Sequence, residues 1–124
     1  MTSDDFGKLV LRLTLGILML FHGLAKITHG IDFIIKSVAT RGLPEILAYG
    51  VYLGEVVAPI LIIIGYFTRL GAAIIFTNMV FALILVHMDH FWILGEHGGW
   101  RLELQAFFLL TALAVVLLGA GKLS

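Results

Sequence analysis

The residues able to do chemistry stand where an apolar chain has least reason to carry them. His22, Lys26 and His29 lie in the stretch "LFHGLAKITHG", four and then three residues apart, so on a helix they share one face. The run around them, Leu9 to Ile27, is otherwise apolar enough for lipid. Glu55 sits inside a second apolar run, His87 and His90 stand three apart in "HMDH", and Glu103 opens the last apolar run. These residue types suit three chemistries. A carboxylate and an imidazole beside a flat apolar cleft can exchange protons with the oxygens of a quinone. A lysine near a buried glutamate can instead form an ion pair that only fixes helix register. Imidazoles at i and i+3, followed by Glu96 and His97, could ligate Zn, Fe or Cu, which makes His87 and His90 weak metal candidates in the absence of an H-E-x-x-H motif. His22 and His87 could also face each other across a haem. A quinone demands the least special geometry and is the cofactor favoured here, ahead of metal or haem.

The elements that position these groups follow from composition. The chain has 124 residues, 60% hydrophobic and 13% charged, with a mean hydropathy of +1.08. A soluble domain carries about 25% charged residues, so the composition is that of a membrane protein and the bilayer is its first partner. Formal net charge is zero, with no basic run to meet nucleic acid. The absence of cysteine removes disulfides, thiolate nucleophiles and cysteine-ligated metal centres. Acidic residues precede Lys8 and no small-residue cleavage site follows, so the first apolar segment is expected to stay as an anchor.

A helix needs about 20 mostly apolar residues to cross a bilayer. Four segments qualify, at about 7–28, 46–66, 69–90 and 101–121. The sequence therefore predicts one all-α domain over residues 1–124, an integral membrane four-helix bundle of up-down topology. The short "GYFTRLG" makes the second and third helices antiparallel neighbours. Between the first two, Ile31, Ile34, Ile35 and Val38 keep a helical rhythm, which suits a short interfacial helix or an ordered loop. Trp92 and Trp100 fall where an aromatic belt would lie. Four spans place both termini on one side. That terminus side holds Lys8, Arg12, Arg69 and Lys122, the far side Lys26, Lys36, Arg41 and Arg101, so the positive-inside rule is silent.

At about 1.5 Å per residue, His22, Lys26, Glu55, His87 and Glu103 converge on the far half of the bundle, near its middle for Glu55. Ionisable groups within a span are costly and by default mark a site. Pro59 cannot donate to the carbonyl of Glu55, four residues earlier, so the second helix should kink beside the buried carboxyl. Gly16, Gly23 and Gly30, seven apart, and the pair Gly50 and Gly54 are expected at close helix contacts.

With these residues placed, the chain resembles the DoxX family of small bacterial and archaeal membrane proteins over roughly residues 9–124. The likeness rests on "RLTLGILMLFHGLAK", "RGLP", "GEVVAPILIIIGYFTRLGA", "NMVFALILVH" and "LLGAGKLS"; Ala58-Pro59 departs from the glycine-rich sequence expected there. The resemblance implies a four-helix protein of the inner membrane with cytoplasmic termini, linked to quinone-reducing or quinol-oxidising complexes. The family's helix 1 His-Gly and Lys fall on His22, Gly23 and Lys26, its helix 2 Glu on Glu55, its Thr-Arg turn on Thr68 and Arg69, and its helix 3 His on His87.

The reading that follows is a membrane redox-associated protein, a subunit or partner of a quinone-linked oxidoreductase, holding a polar-headed ligand among His22, Lys26, Glu55, His87 and Glu103. The alternative is a non-catalytic scaffold or assembly protein, pairing with itself or with redox-complex subunits through its glycine faces, in which the polar cluster is internal glue. Whether the chain is itself an enzyme stays open at this stage.

Overall fold

The computed structural model describes residues 2–86 and 102–122, except for the side chains of 85 and 86. The described residues are helical throughout their regular structure, in five elements: α1 Ser3–His29, α2 Asp32–Thr40, α3 Ile46–Ile64, α4 Thr68–Val86 and α5 Glu103–Leu118. Helix α1 begins four residues earlier than the span expected at 7–28. A reciprocal capping box supplies the reason: the Thr2 hydroxyl accepts from the Asp5 N–H, and the Asp5 carboxylate accepts from the Thr2 N–H. It ends at Gly30, whose φ of 84° no L side chain adopts readily. Gly30 has open space around it, so this glycine terminates a helix rather than making the helix contact expected of it.

The long helices pack antiparallel to their chain neighbours. Gly16 meets Ile62, Ile63 and the Pro59 carbonyl, while Gly23 meets the Glu55 carbonyl, which fixes α1 against α3. Gly54 lies on Asn78, and Gly71 on Ile62 and the Ala58 carbonyl, which fixes α3 against α4. Between α1 and the last helix, the Arg12 guanidinium donates to the Ala120 carbonyl at 2.8 Å near the chain termini, and His22 stands edge-on to Phe108 further along. Small residues at these crossings let backbones approach closely. Gly50 differs from Gly54: nothing lies near it, and it faces a cavity.

Leu15, Met19, Ala58, Ile62, Ala72, Ile75, Phe108 and Val115 form the core between these helices. Outward faces carry large apolar side chains such as Phe21, Ile46, Phe107 and Leu117, the arrangement that lipid rather than water stabilises. Helices α1 and α3 are long and apolar enough to cross a membrane; the described apolar stretches Thr68–Ile84 and Glu103–Leu118 are shorter. Of the short helix or ordered loop left open after α1, the helix is present as α2. Its Val38, with Ile31, packs on Ala48 and Val51 at the start of α3, so it lies over one end of the packed helices.

Helix α3 is interrupted where Glu55 stands. Residues Leu53–Val57 form a π-turn, in which the Ala58 N–H reaches back five residues to Leu53. Proline at 59 has no N–H to offer the Glu55 carbonyl, and the wider turn absorbs that mismatch before the proline. The irregularity expected beside the carboxyl takes the form of this wider turn, centred on Glu55 itself. Such π-turns recur at functional sites.

Candidate functional site

The wider π-turn and the glycines on either side of it bring α1 and α4 onto α3 at the level of Glu55. Glu55 is 3% exposed, and a carboxylate at that depth must be paired or neutral. It is paired. Lys26 Nζ stands 2.5 Å from Glu55 Oε1, and Asn78 Nδ2 donates to Oε2 at 3.0 Å. Lys26 is held in turn by the last turn of α1, whose carbonyl at Lys26 accepts from the Tyr52 hydroxyl at 3.4 Å. The carboxylate is therefore gripped by donors from two neighbouring helices, which locks the register of all three.

Beside this triad lies a cavity of about 640 Å³, within the size range of small-molecule sites. Its polar wall comprises His22, Lys26, Glu55, Thr77, Asn78 and Gln105, and the remainder is apolar, with Phe33 and Ile34 of α2 contributing at one end. The His22 ring packs at right angles to Phe108, with centroids 5.4 Å apart, so the imidazole edge is oriented by an apolar partner. Gln105 Oε1 is buried and has no hydrogen-bond partner. A buried acceptor left unmet costs about 1–3 kcal/mol, so this oxygen has capacity to accept from a hydroxyl or N–H.

Of the residues singled out in the sequence, His22, Lys26 and Glu55 come together on this wall. Glu103 lies exposed in the first turn of α5 and is not among the cavity's lining residues. His87 and His90 fall outside the described residues, as do Glu96 and His97. Among the described residues no three of His, Asp and Glu come together in a group able to hold a metal. His29, at the exposed end of α1, stands apart from the cavity. Sequence reasoning missed Asn78 and Gln105. Asn78 had a signal: it is a lone amide within the apolar run 70–86, and a polar side chain there needs a partner as much as a charge does.

A family model described as DoxX matches residues 7–88. The chain is also similar to the "Putative oxidoreductase CatD" of Bacillus subtilis (strain 168), 28% identical over 122 residues, a match covering 98% of this chain and 86% of that protein. No solved structure matches.

Proposed function

This chain belongs to the DoxX family of membrane-associated proteins, and we propose that it is the membrane partner or subunit of a quinone-linked oxidoreductase, holding the quinone head in the cavity beside Glu55. In this reading α1, α3, α4 and α5 all span the inner membrane as an up-down bundle with cytoplasmic termini. The observation that carries it is the pairing of a large apolar cavity with a buried, doubly bonded carboxylate on its wall. The name of the Bacillus relative, an oxidoreductase, points the same way.

Bound there, a quinone would supply two-electron, two-proton redox chemistry. The oxidoreductase supplies the electrons, and the residues of this chain serve the protons and the binding. Glu55 and His22 exchange protons with the head oxygens. Lys26 holds the carboxylate charge and offers its remaining N–H donors to developing negative charge. Gln105 Oε1 would be available to accept from a head hydroxyl, and the apolar wall would hold the ring.

Glu55→Gln keeps the volume but gives up the anion that Lys26 requires. Short-chain quinone titrated into the purified protein, followed by intrinsic tryptophan fluorescence, is expected to bind the variant about tenfold or more weakly, the equivalent of about 1.4 kcal/mol. Unchanged affinity would remove Glu55 from the site. The second reading, a scaffold in which the cluster is structural, draws on a specific observation: both Glu55 oxygens are already occupied by protein donors. It expects no bound ligand, and loss of assembly when Glu55 or His22 is changed.

A further inference from the structure

A second cavity, of about 430 Å³, lies at the opposite end of α4, between the α3–α4 turn and the chain that leaves α5. Its wall carries several hydrogen-bond donors. Thr68 is 5% exposed, yet its hydroxyl oxygen is buried with no hydrogen-bond partner. Gly71 donates the first hydrogen bond of α4, to the Phe67 carbonyl, so the N–H groups of Thr68, Arg69 and Leu70 have no acceptor within the helix. They lie at the positive end of the dipole of a 19-residue helix. Beside them the Arg69 guanidinium rests on the backbone at Gly119, where a Cβ would stand 3.1 Å from Nε and 3.2 Å from Nη2.

One acceptor on the wall is taken up by the protein, and no carboxylate faces the cavity. The Ala120 carbonyl is engaged by Arg12 Nη1, and the lining residues, Gly65, Phe67 to Leu70 and Leu118 to Gly121, include no carboxylate. The Gly119-Ala120-Gly121 segment is itself held in place, since the N–H of the following Lys122 donates to Asp5 Oδ1 at 3.3 Å. From these observations we propose that the cavity binds a phosphate-type oxyanion, with the Thr68 hydroxyl and the first N–H groups of α4 on one side and the Arg69 guanidinium on the other. The chemistry is shared by a phospholipid headgroup and by free phosphate. The site lies outside the Glu55 cavity and does not depend on the function proposed for it.

The test uses the full chain in a neutral detergent. Phosphatidylglycerol, or diacylglycerol with the same acyl chains, is added and the retained lipid counted by native mass spectrometry. In parallel, the melting temperature is measured in sodium phosphate and in sodium chloride at equal ionic strength. The wild type is expected to retain the phospholipid about tenfold over diacylglycerol, with retention falling about tenfold in Arg69→Gln and several-fold in Thr68→Val. Arg69→Lys, which keeps the charge but loses the fork, should fall between. The two positions are read separately, so a folding defect in one variant leaves the other to decide. If orthophosphate raises the melting temperature of the wild type but not of Arg69→Gln, and displaces the lipid, the natural occupant is a free anion. If the lipid binds and orthophosphate does nothing, it is a headgroup. Equal retention of phospholipid and diacylglycerol, or of phospholipid by wild type and both variants, with no phosphate effect on melting, overturns the proposal.

Discussion

Gly23→Ala is expected to destabilise the protein by about 3 kcal/mol, and Gly23→Leu to prevent the folded state from accumulating. A Cβ at position 23 would overlap the Glu55 carbonyl oxygen and stand 2.6 Å from its carbon. Overpacking against a flexible side chain can be relieved by a rotamer change, but a carbonyl within a helix can move only with the helix. Separating α1 from α3 there also pulls Lys26 away from Glu55, so the packing loss and the ion-pair loss come together. Gly54→Ala is the informative comparison, because its Cβ would meet the Asn78 side chain, 2.5 Å from Cβ, and Gly30→Ala meets nothing but carries the strain of its positive φ. Unfolding by sodium dodecyl sulfate, followed by circular dichroism, should rank Gly23→Ala well below both. A Gly23→Ala protein as stable as wild type would show that α1 and α3 are not packed as described.

The second large effect concerns the ion pair. Lys26→Met leaves the Glu55 carboxylate buried with a neutral amide as its remaining donor, and breaking a buried pair from one side costs about 3–5 kcal/mol. Adding Glu55→Gln to that variant removes the stranded charge, and the double variant is expected to regain most of the lost stability. Ligand binding should not return with it, because both the proton-exchanging carboxylate and its cation are gone. This split separates the two readings of the cluster. If the triad is glue alone, assembly and stability recover together in the double variant and there is no quinone binding to lose in any of them. A Lys26→Met protein of undiminished stability would mean that the pair contributes nothing to the fold.

The pairing of Lys26 with Glu55 was legible in the sequence only in part: a carboxylate inside an apolar run must find a cation, and depth along the helices left Lys26 and His22 within reach without choosing between them. The short helix after α1 was legible from its apolar rhythm, and the crowding at Gly16, Gly23 and Gly54 from their spacing. What escaped depended on rotation about helix axes, which depth alone does not supply. Glu103 and Gln105 are two residues apart, about 200° around the helix, so a choice between them selects opposite faces; the amide is the one on the cavity. Asn78 escaped because attention went to titratable groups, whereas the cost of an unpaired polar group in an apolar setting makes no such distinction. The π-turn escaped because proline signals a missing donor without saying on which turn the backbone will take up the difference. Gly30 and Gly50 share the spacing of the packed glycines, yet one ends a helix and the other faces open space.

The most direct measurement is the quinone content of the protein purified from native membranes in mild detergent, by solvent extraction and mass spectrometry, for wild type and Gly50→Phe. Gly50 lines the cavity and a Cβ there meets nothing within 4 Å, so phenylalanine can be placed without a backbone clash to take up cavity space, and the helix itself gains from losing a glycine. The account predicts close to one quinone per wild-type chain and little in a Gly50→Phe protein that folds as well as wild type. Quinone absent from the wild type, or retained equally by the filled variant, would contradict it.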